Sequence, residues 1–302
     1  MLRFLLELIP CLLIGFWLGR RHPDWSARLA RPLVRFGVPL SVMGLLLRGG
    51  LSDAVLEAAV VAPLVVGLWL LLVSVRPLSP CLESAALKLG SGVGNTAYVG
   101  VPLALAFLPE EALPITIGYD LGATLFTWSV GALWLAGRSV PSRSALQGLL
   151  QGVLSSPASR GLFAALLVQW TPWRAVIAET LWWPARLVVL LALIVVGLRL
   201  GALFQGRCIS GLQEPRLRVA LVGKLLLFPL LLLVLGSLMP WDALMVQALV
   251  LQGATPTAMS VLLIAESAER DQAEAASLVF WSTVLALVTA SVWGQVLPRL
   301  VT

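Results

Sequence analysis

The chain has 302 residues, 59% of them hydrophobic and only 12% charged, with a mean hydropathy of +0.94. Soluble domains run at about 45–50% apolar and about 25% charged, so the composition excludes a soluble fold and makes lipid the solvent. The net charge of +6 does not describe a nucleic-acid surface, because the basic residues are scattered through short loops between apolar runs.

A membrane span needs about 20 apolar residues, and in lipid every backbone amide must be paired within a helix or a closed barrel. The apolar runs here are long and do not alternate with polar residues, which predicts helices. Spans are expected at roughly 2–20, 33–51, 54–75, 83–108, 113–136, 158–177, 181–204, 216–238, 241–266 and 275–297. Glu7 interrupts the first run and Arg20-Arg21 closes it, so it reads as a span and not as a cleaved signal. Gly15 and Gly19 make one GxxxG match, which by itself leaves monomer and dimer open.

With the N-terminus outside, Arg3, Arg48, Arg174, Arg186 and Arg299 face outward and the remaining sixteen Lys and Arg residues lie on the cytoplasmic side. The positive-inside rule favours that orientation, with both termini outside the cytoplasmic membrane. Trp170, Trp173, Trp182, Trp183 and Trp241 fall near the outer boundaries as an aromatic belt. Lys224 and Arg199 fall near cytoplasmic ends, where long basic side chains snorkel.

A basic loop, 137–156, divides the chain into two five-span halves, 1–136 and 157–302. Five is odd, so similar halves lie in opposite orientations. Pro63 and Pro229 stand 166 residues apart in matching spans, and Thr96 and Thr255 stand 159 apart. This points to an inverted repeat, a plan whose binding site lies at the midplane where broken helices meet. Span four carries Gly94-Asn95-Thr96-Ala97 and Pro102; span nine carries Gln252, Thr255-Pro256-Thr257 and Ser260. Glycine lets the backbone leave the helix and proline removes an amide, so each span is expected to break. A half-helix N-terminus freed in this way suits an anion. The candidate substrate-binding residues are therefore Asn95, Thr96, Pro102, Gln252, Thr255, Pro256, Thr257 and Ser260. Asp120, an intramembrane carboxylate, is the candidate for proton coupling.

Enzyme signals are absent from the sequence. There is no G-x-x-x-x-G-K-[ST] phosphate loop, no H-E-x-x-H pair and no G-x-S-x-G elbow. One histidine and three scattered cysteines (Cys11, Cys81, Cys208) offer no metal-ligand spacing. Neither a cofactor, nor a metal, nor nucleic acid is expected as a partner.

At the two polar segments the sequence resembles the auxin efflux carrier family. Gly94-Asn95-Thr96-Ala97-Tyr98-Val99-Gly100-Val101-Pro102-Leu103 is similar to that family's GNTGxLGxPL segment, and Thr255-Pro256-Thr257-Ala258 with Ile264-Ala265-Glu266 to its MPTAxNxxxLAE segment. The resemblance extends to Arg35-Phe-Gly-Val-Pro39, Val196-Gly-Leu-Arg-Leu200, Lys224 and Pro229. It implies an all-α membrane protein of ten spans in two inverted repeats, with spans four and nine broken and crossing. It further implies a scaffold of spans one, two, six and seven facing its partner in a homodimer, and a moving domain made of the rest. Bacterial relatives are malonate- or malate-type carriers and plant ones carry auxin, so the implied substrate is a small organic carboxylate. The chain departs from the family at Ser260, where bacterial relatives often have asparagine, and at Val261, where plant members have proline. The competing expectations are a sodium-coupled symporter of the bile acid type and, from another class, an intramembrane enzyme using the same cleft.

Overall fold

A computed structural model describes residues 2–50, 52–75, 82–137, 157–206 and 209–301. Apart from Gly137, the expected linker at 137–156 lies outside the described residues, as do Cys81 and Cys208. Every regular element among the described residues is helical. Among the described residues five helices are long and apolar enough to cross a membrane: Arg28–Gly49, Ala54–Ser74, Arg174–Gln205, Pro215–Leu238 and Gln272–Leu300.

In chain order the helices are α1 (Leu2–Arg21), α2 (Trp25–Pro32), α3 (Val38–Gly49), α4 (Ala54–Ser74), α5 (Ala85–Gly90), α6 (Val101–Phe107), α7 (Leu113–Phe126) and α8 (Ala132–Ala136). They continue as α9 (Pro157–Gln169), α10 (Arg174–Gln205), α11 (Pro215–Val222), α12 (Phe228–Leu238), α13 (Ala243–Gly253), α14 (Met259–Ser267) and α15 (Gln272–Leu300). Several pairs are continuous rods joined by a widened π-turn: Leu33–Gly37 joins α2 to α3, Thr127–Gly131 joins α7 to α8, and Gly223–Leu227 joins α11 to α12. A fourth π-turn, Thr96–Gly100, leads into α6. Three of the four stand directly before a proline at the second position of the next helix, namely Pro39, Pro102 and Pro229. Proline offers no amide to the carbonyl four residues back and its ring crowds that carbonyl; widening the turn accommodates both. At the fourth, Thr127 donates its hydroxyl to the Ala123 carbonyl and Ser129 donates to the Leu125 carbonyl, competing with the helix ladder.

The turn between α9 and α10 falls at 170–173 and not near residue 180 as the hydropathy suggests. Thr171 precedes Pro172 and is disfavoured in helix, and its hydroxyl takes the Val168 carbonyl of the last turn.

The helices pack in two groups. One contains α1, α3, α9 and α10; the other is built around α4 with α7 and α12 with α13, and also holds α5, α11, α14 and α15. Glycines set the two closest approaches. A Cβ on Gly19 would lie 2.0 Å from the Leu198 carbonyl oxygen, and one on Gly197 would lie 2.3 Å from that of Leu12. The Gly15–Gly19 pair therefore joins α1 to α10 inside one chain, as small residues do when backbones touch. On α7, a Cβ on Gly118 would meet the Val55 oxygen at 2.2 Å and one on Gly122 the Ala59 oxygen at 2.1 Å, so α7 lies against α4 in the same manner.

Large apolar side chains point outward along the rods, among them Leu56, Leu64, Leu71, Leu167 and Val288, each more than half exposed. Continuous exposed apolar surface of this kind suits lipid. Of the five tryptophans expected near the outer boundaries, Trp170, Trp173 and Trp183 are exposed and Trp182 and Trp241 are partly buried.

Candidate functional site

The two polar segments meet. α5 stops at Gly90 and α13 at Gly253, and the chain beyond each runs extended before the next helical turn. There Gly94 pairs antiparallel with Thr257. The Asn95 amide donates to the Pro256 carbonyl at 2.7 Å, and the Ala258 amide donates to the Val93 carbonyl at 3.2 Å. Each broken segment thereby pairs the backbone of the other, which removes part of the cost of leaving helical geometry inside an apolar medium.

Side chains take up several of the remaining backbone groups. Thr257 donates its hydroxyl to Gly90 O at 2.9 Å, and Thr255 donates to Gln252 O at 2.6 Å. The Thr257 amide donates to Ser282 Oγ at 3.0 Å, and Gln252 Nε2 reaches Gly100 O at 3.2 Å. At the start of the Thr96–Gly100 turn, the Thr96 hydroxyl donates to Asp120 Oδ1 at 2.5 Å and the Ala97 amide donates to the same carboxylate. Asp120 is the anion at that half-helix N-terminus, supplied by the protein itself.

A cavity of about 270 Å³ opens beside the crossing. Of the residues singled out in the sequence, Asn95, Thr96, Ser260 and Asp120 line it. Gln252, Thr255 and Thr257 are fully buried within the crossing, Pro256 accepts from Asn95, and Pro102 lines a second cavity on the far side. The first cavity extends from the crossing to Ala30 and Pro157, past Val195, Val196 and Arg199 of α10. The second, of about 260 Å³, lies at the opposite end between Leu108, Glu110, Trp182 and Arg186. A small void lined by Val38, Ser41, Tyr98, Asp120, Val188 and Val189 stands between them. At the rim of the second cavity Arg48 pairs with Glu110 at 2.8 Å, and its guanidinium lies 5.3 Å from the centre of the Trp182 ring.

Several polar groups on the first cavity have hydrogen-bonding capacity to spare. Among the described residues, the side chains of Asn95, Ser260 and Arg199 have no hydrogen-bond or ion-pair partner. Ser260 and Met259 begin α14, whose first amides have no acceptor within the helix. Among the described residues, Arg199 and Asp120 are the only charged ones on the lining. The wall is otherwise mostly apolar. A guanidinium, a carboxamide, a hydroxyl and a helix N-terminus converging on one cavity present donors to an anion.

The sequence reading placed Arg199 and Lys224 at the surface. Arg199 instead looks onto the cavity. Lys224 is fully buried, with Nζ 2.8 Å from Gly253 O. It lies within the π-turn that precedes Pro229, and the added residue in that turn shifts which side chains face inward. A lysine inside a proline-disturbed span was the available signal.

Comparison with known proteins bears on this arrangement. Residues 163–294 match the family described as "Membrane transport protein". Over 217 residues the chain is 25% identical to a protein of Methanothermobacter thermautotrophicus named "Uncharacterized transporter", covering 70% of this chain and 67% of that protein. These matches support a membrane transporter, not an enzyme. The family match includes the second polar segment, Thr255-Pro256-Thr257-Ala258 with Ile264-Ala265-Glu266, and the first lies outside it.

Proposed function

We propose that the chain is a secondary transporter of small organic carboxylates in the cytoplasmic membrane, working by alternating access of elevator type. In this reading ten spans form two inverted repeats, with α5–α6 and α13–α14 as the broken fourth and ninth, and both termini lie outside. The group α1, α3, α9 and α10 is the scaffold and the side that would meet a second copy in a homodimer. The other group moves.

One observation carries the reading: two broken helices pair through Gly94 and Thr257 beside a cavity lined by Asn95, Ser260 and Arg199, whose side chains have no partner among the described residues. The substrate carboxylate binds Arg199 through its guanidinium fork and accepts from Asn95 and the start of α14. Asp120 already occupies the half-helix N-terminus at Thr96, so the substrate takes the α14 end. The hydroxyls of Thr255 and Thr257 donate to backbone oxygens and act by holding the crossing. In this reading the end at Ala30 and Pro157, which the cavity reaches, is cytoplasmic and the conformation is inward-open. The void beside Tyr98 and the cavity at Trp182 mark the rest of the path.

Flux into proteoliposomes tests the reading, using labelled mono- and dicarboxylates including malonate and malate, for the wild type and Arg199→Gln. Saturable flux that falls about tenfold or more in the variant is expected, the scale of one charge-assisted hydrogen bond. Carboxylate flux unchanged in folded Arg199→Gln removes the anion site, and no carboxylate flux from the wild type removes the substrate class.

A further inference from the structure

Lys224 meets the crossing at the C-terminal end of α13. α13 ends at Gly253, and the carbonyls of a helix C-terminus carry partial negative charge. Nζ of Lys224 lies 2.8 Å from Gly253 O and 4.9 Å from the centre of the Phe228 ring. Oxygen atoms crowd the same spot. A Cβ built on Gly94 would lie 3.2 Å from Nζ, 2.2 Å from Thr255 Oγ1 and 3.3 Å from Gln252 O. Only a glycine at 94 leaves room for this cluster. Among the described residues Lys224 forms no ion pair, and no group of three or more His, Cys, Asp or Glu gathers there or elsewhere.

A fully buried ammonium with no carboxylate beside it is costly in a membrane protein. What offsets the cost here is a helix end, neighbouring carbonyl and hydroxyl oxygens and an aromatic face, all of which favour a compact monovalent cation. The corresponding end of α5 is treated differently, since Gly90 O accepts a neutral hydroxyl from Thr257. Lys88 also lies in the last turn of α5, so the two ends differ at the terminal carbonyl itself, with a hydroxyl on Gly90 O and an ammonium on Gly253 O.

We propose that the crossing contains a monovalent-cation site formed by Gly253 O, Gln252 O and Thr255 Oγ1, and that the Lys224 ammonium is its resident cation. The chain carries on a side chain the positive charge that a bound alkali-metal or small ammonium ion would supply. Removing the side chain opens the site to such an ion. The inference goes beyond the transport reading and holds whatever the cargo is.

Thermal unfolding of the full-length protein in detergent tests it, in sodium, methylammonium or choline chloride at equal ionic strength. The wild type is expected to melt at one temperature in all three. Lys224→Ala is expected to lose about 5 °C or more, the shift that follows from one lost charge-assisted contact in a chain of this size. It should regain part of that loss saturably with sodium or methylammonium and not with choline, which is too large for the site. A folded Lys224→Ala protein without cation-specific recovery overturns the proposal, as does a sodium-specific gain in the wild type. If Lys224→Ala does not fold, Lys224→Met keeps most of the packing; wild-type melting of that variant equally overturns it. Should neither fold, the wild-type comparison decides: indifference to sodium upholds the resident cation and a sodium-specific gain defeats it.

Discussion

The Thr96 hydroxyl donates to Asp120 Oδ1 across 2.5 Å, tying the broken fourth segment to α7. Asp120 is 7% exposed and shares the cavity wall with Arg199 and Tyr98. Its carboxylate both caps a half-helix and faces the cavity beside the crossing. Asp120→Asn keeps an acceptor for Thr96 and removes the charge at the helix N-terminus, at a cost of about 0.5–2 kcal/mol. The variant should therefore fold with a modestly lowered Tm. If Asp120 takes up and releases a proton in each cycle, the pH dependence of flux flattens in the variant. An unchanged pH profile in active Asp120→Asn excludes it from coupling.

Asn95 and Thr257 sit close together at the crossing and should respond to substitution in opposite ways. The Asn95 side chain lines the cavity without a partner among the described residues, so Asn95→Ala should weaken carboxylate binding and leave Tm near the wild-type value. The Thr257 hydroxyl is buried on Gly90 O. Thr257→Val leaves that carbonyl unpaired and should cost about 1–3 kcal/mol of stability. Measuring binding and melting on both variants separates contact with cargo from support of the crossing. A large Tm loss in Asn95→Ala would move Asn95 into the supporting set.

The contact of α4 with α7 gives a matched pair of glycine substitutions. A Cβ on Gly122 would lie 2.1 Å from the Ala59 carbonyl oxygen, and no rotamer change relieves a clash with backbone. Gly122→Ala should destabilise by about 1–3 kcal/mol. On the facing helix, a Cβ on Gly67 would meet nothing closer than the Phe126 ring at 3.5 Å. Gly67→Ala should be neutral or stabilising by up to about 1 kcal/mol, because alanine is the better helix former. Equal melting of the two variants would show that α4 and α7 are not in backbone contact.

The GxxxG match in α1 receives the same treatment. Its glycines meet α10 of the same chain, so Gly19→Leu should reduce the yield of folded protein at any concentration. A variant that folds normally but loses only a dimer band in cross-linking would place Gly19 at a subunit interface instead.

Much of the fold is legible in the sequence because the bilayer imposes a simple rule. The chain must be helical where it is apolar for about 20 residues, and it must bend where glycine and proline fall inside such a run. That rule finds the long rods from Ala54, Pro215 and Gln272, and the breaks at Gly94–Pro102 and Gly253–Pro256. It misplaces the α9–α10 turn because hydropathy does not register what Thr171-Pro172 does to the backbone.

The assignment of tasks within the crossing belongs to the tertiary structure alone. Residues about 160 positions apart meet there, and which hydroxyl caps which carbonyl depends on how two helices cross. Thr255 and Thr257 look like ligand donors in sequence, yet both hydroxyls donate to backbone oxygens; the Asn95 carboxamide, their neighbour in space, has no partner among the described residues. Arg199 and Lys224 look like snorkelling residues because a charge near the end of a span is ordinarily solvated. The packing of α10 against the crossing turns Arg199 onto the cavity, and the π-turn before Pro229 carries Lys224 inside. Composition determined that this chain lives in a membrane as helices with two polar breaks. Only the packing of those helices decided which polar groups hold the protein together and which remain free to bind, because a hydrogen bond is assigned by position in space and not by residue type.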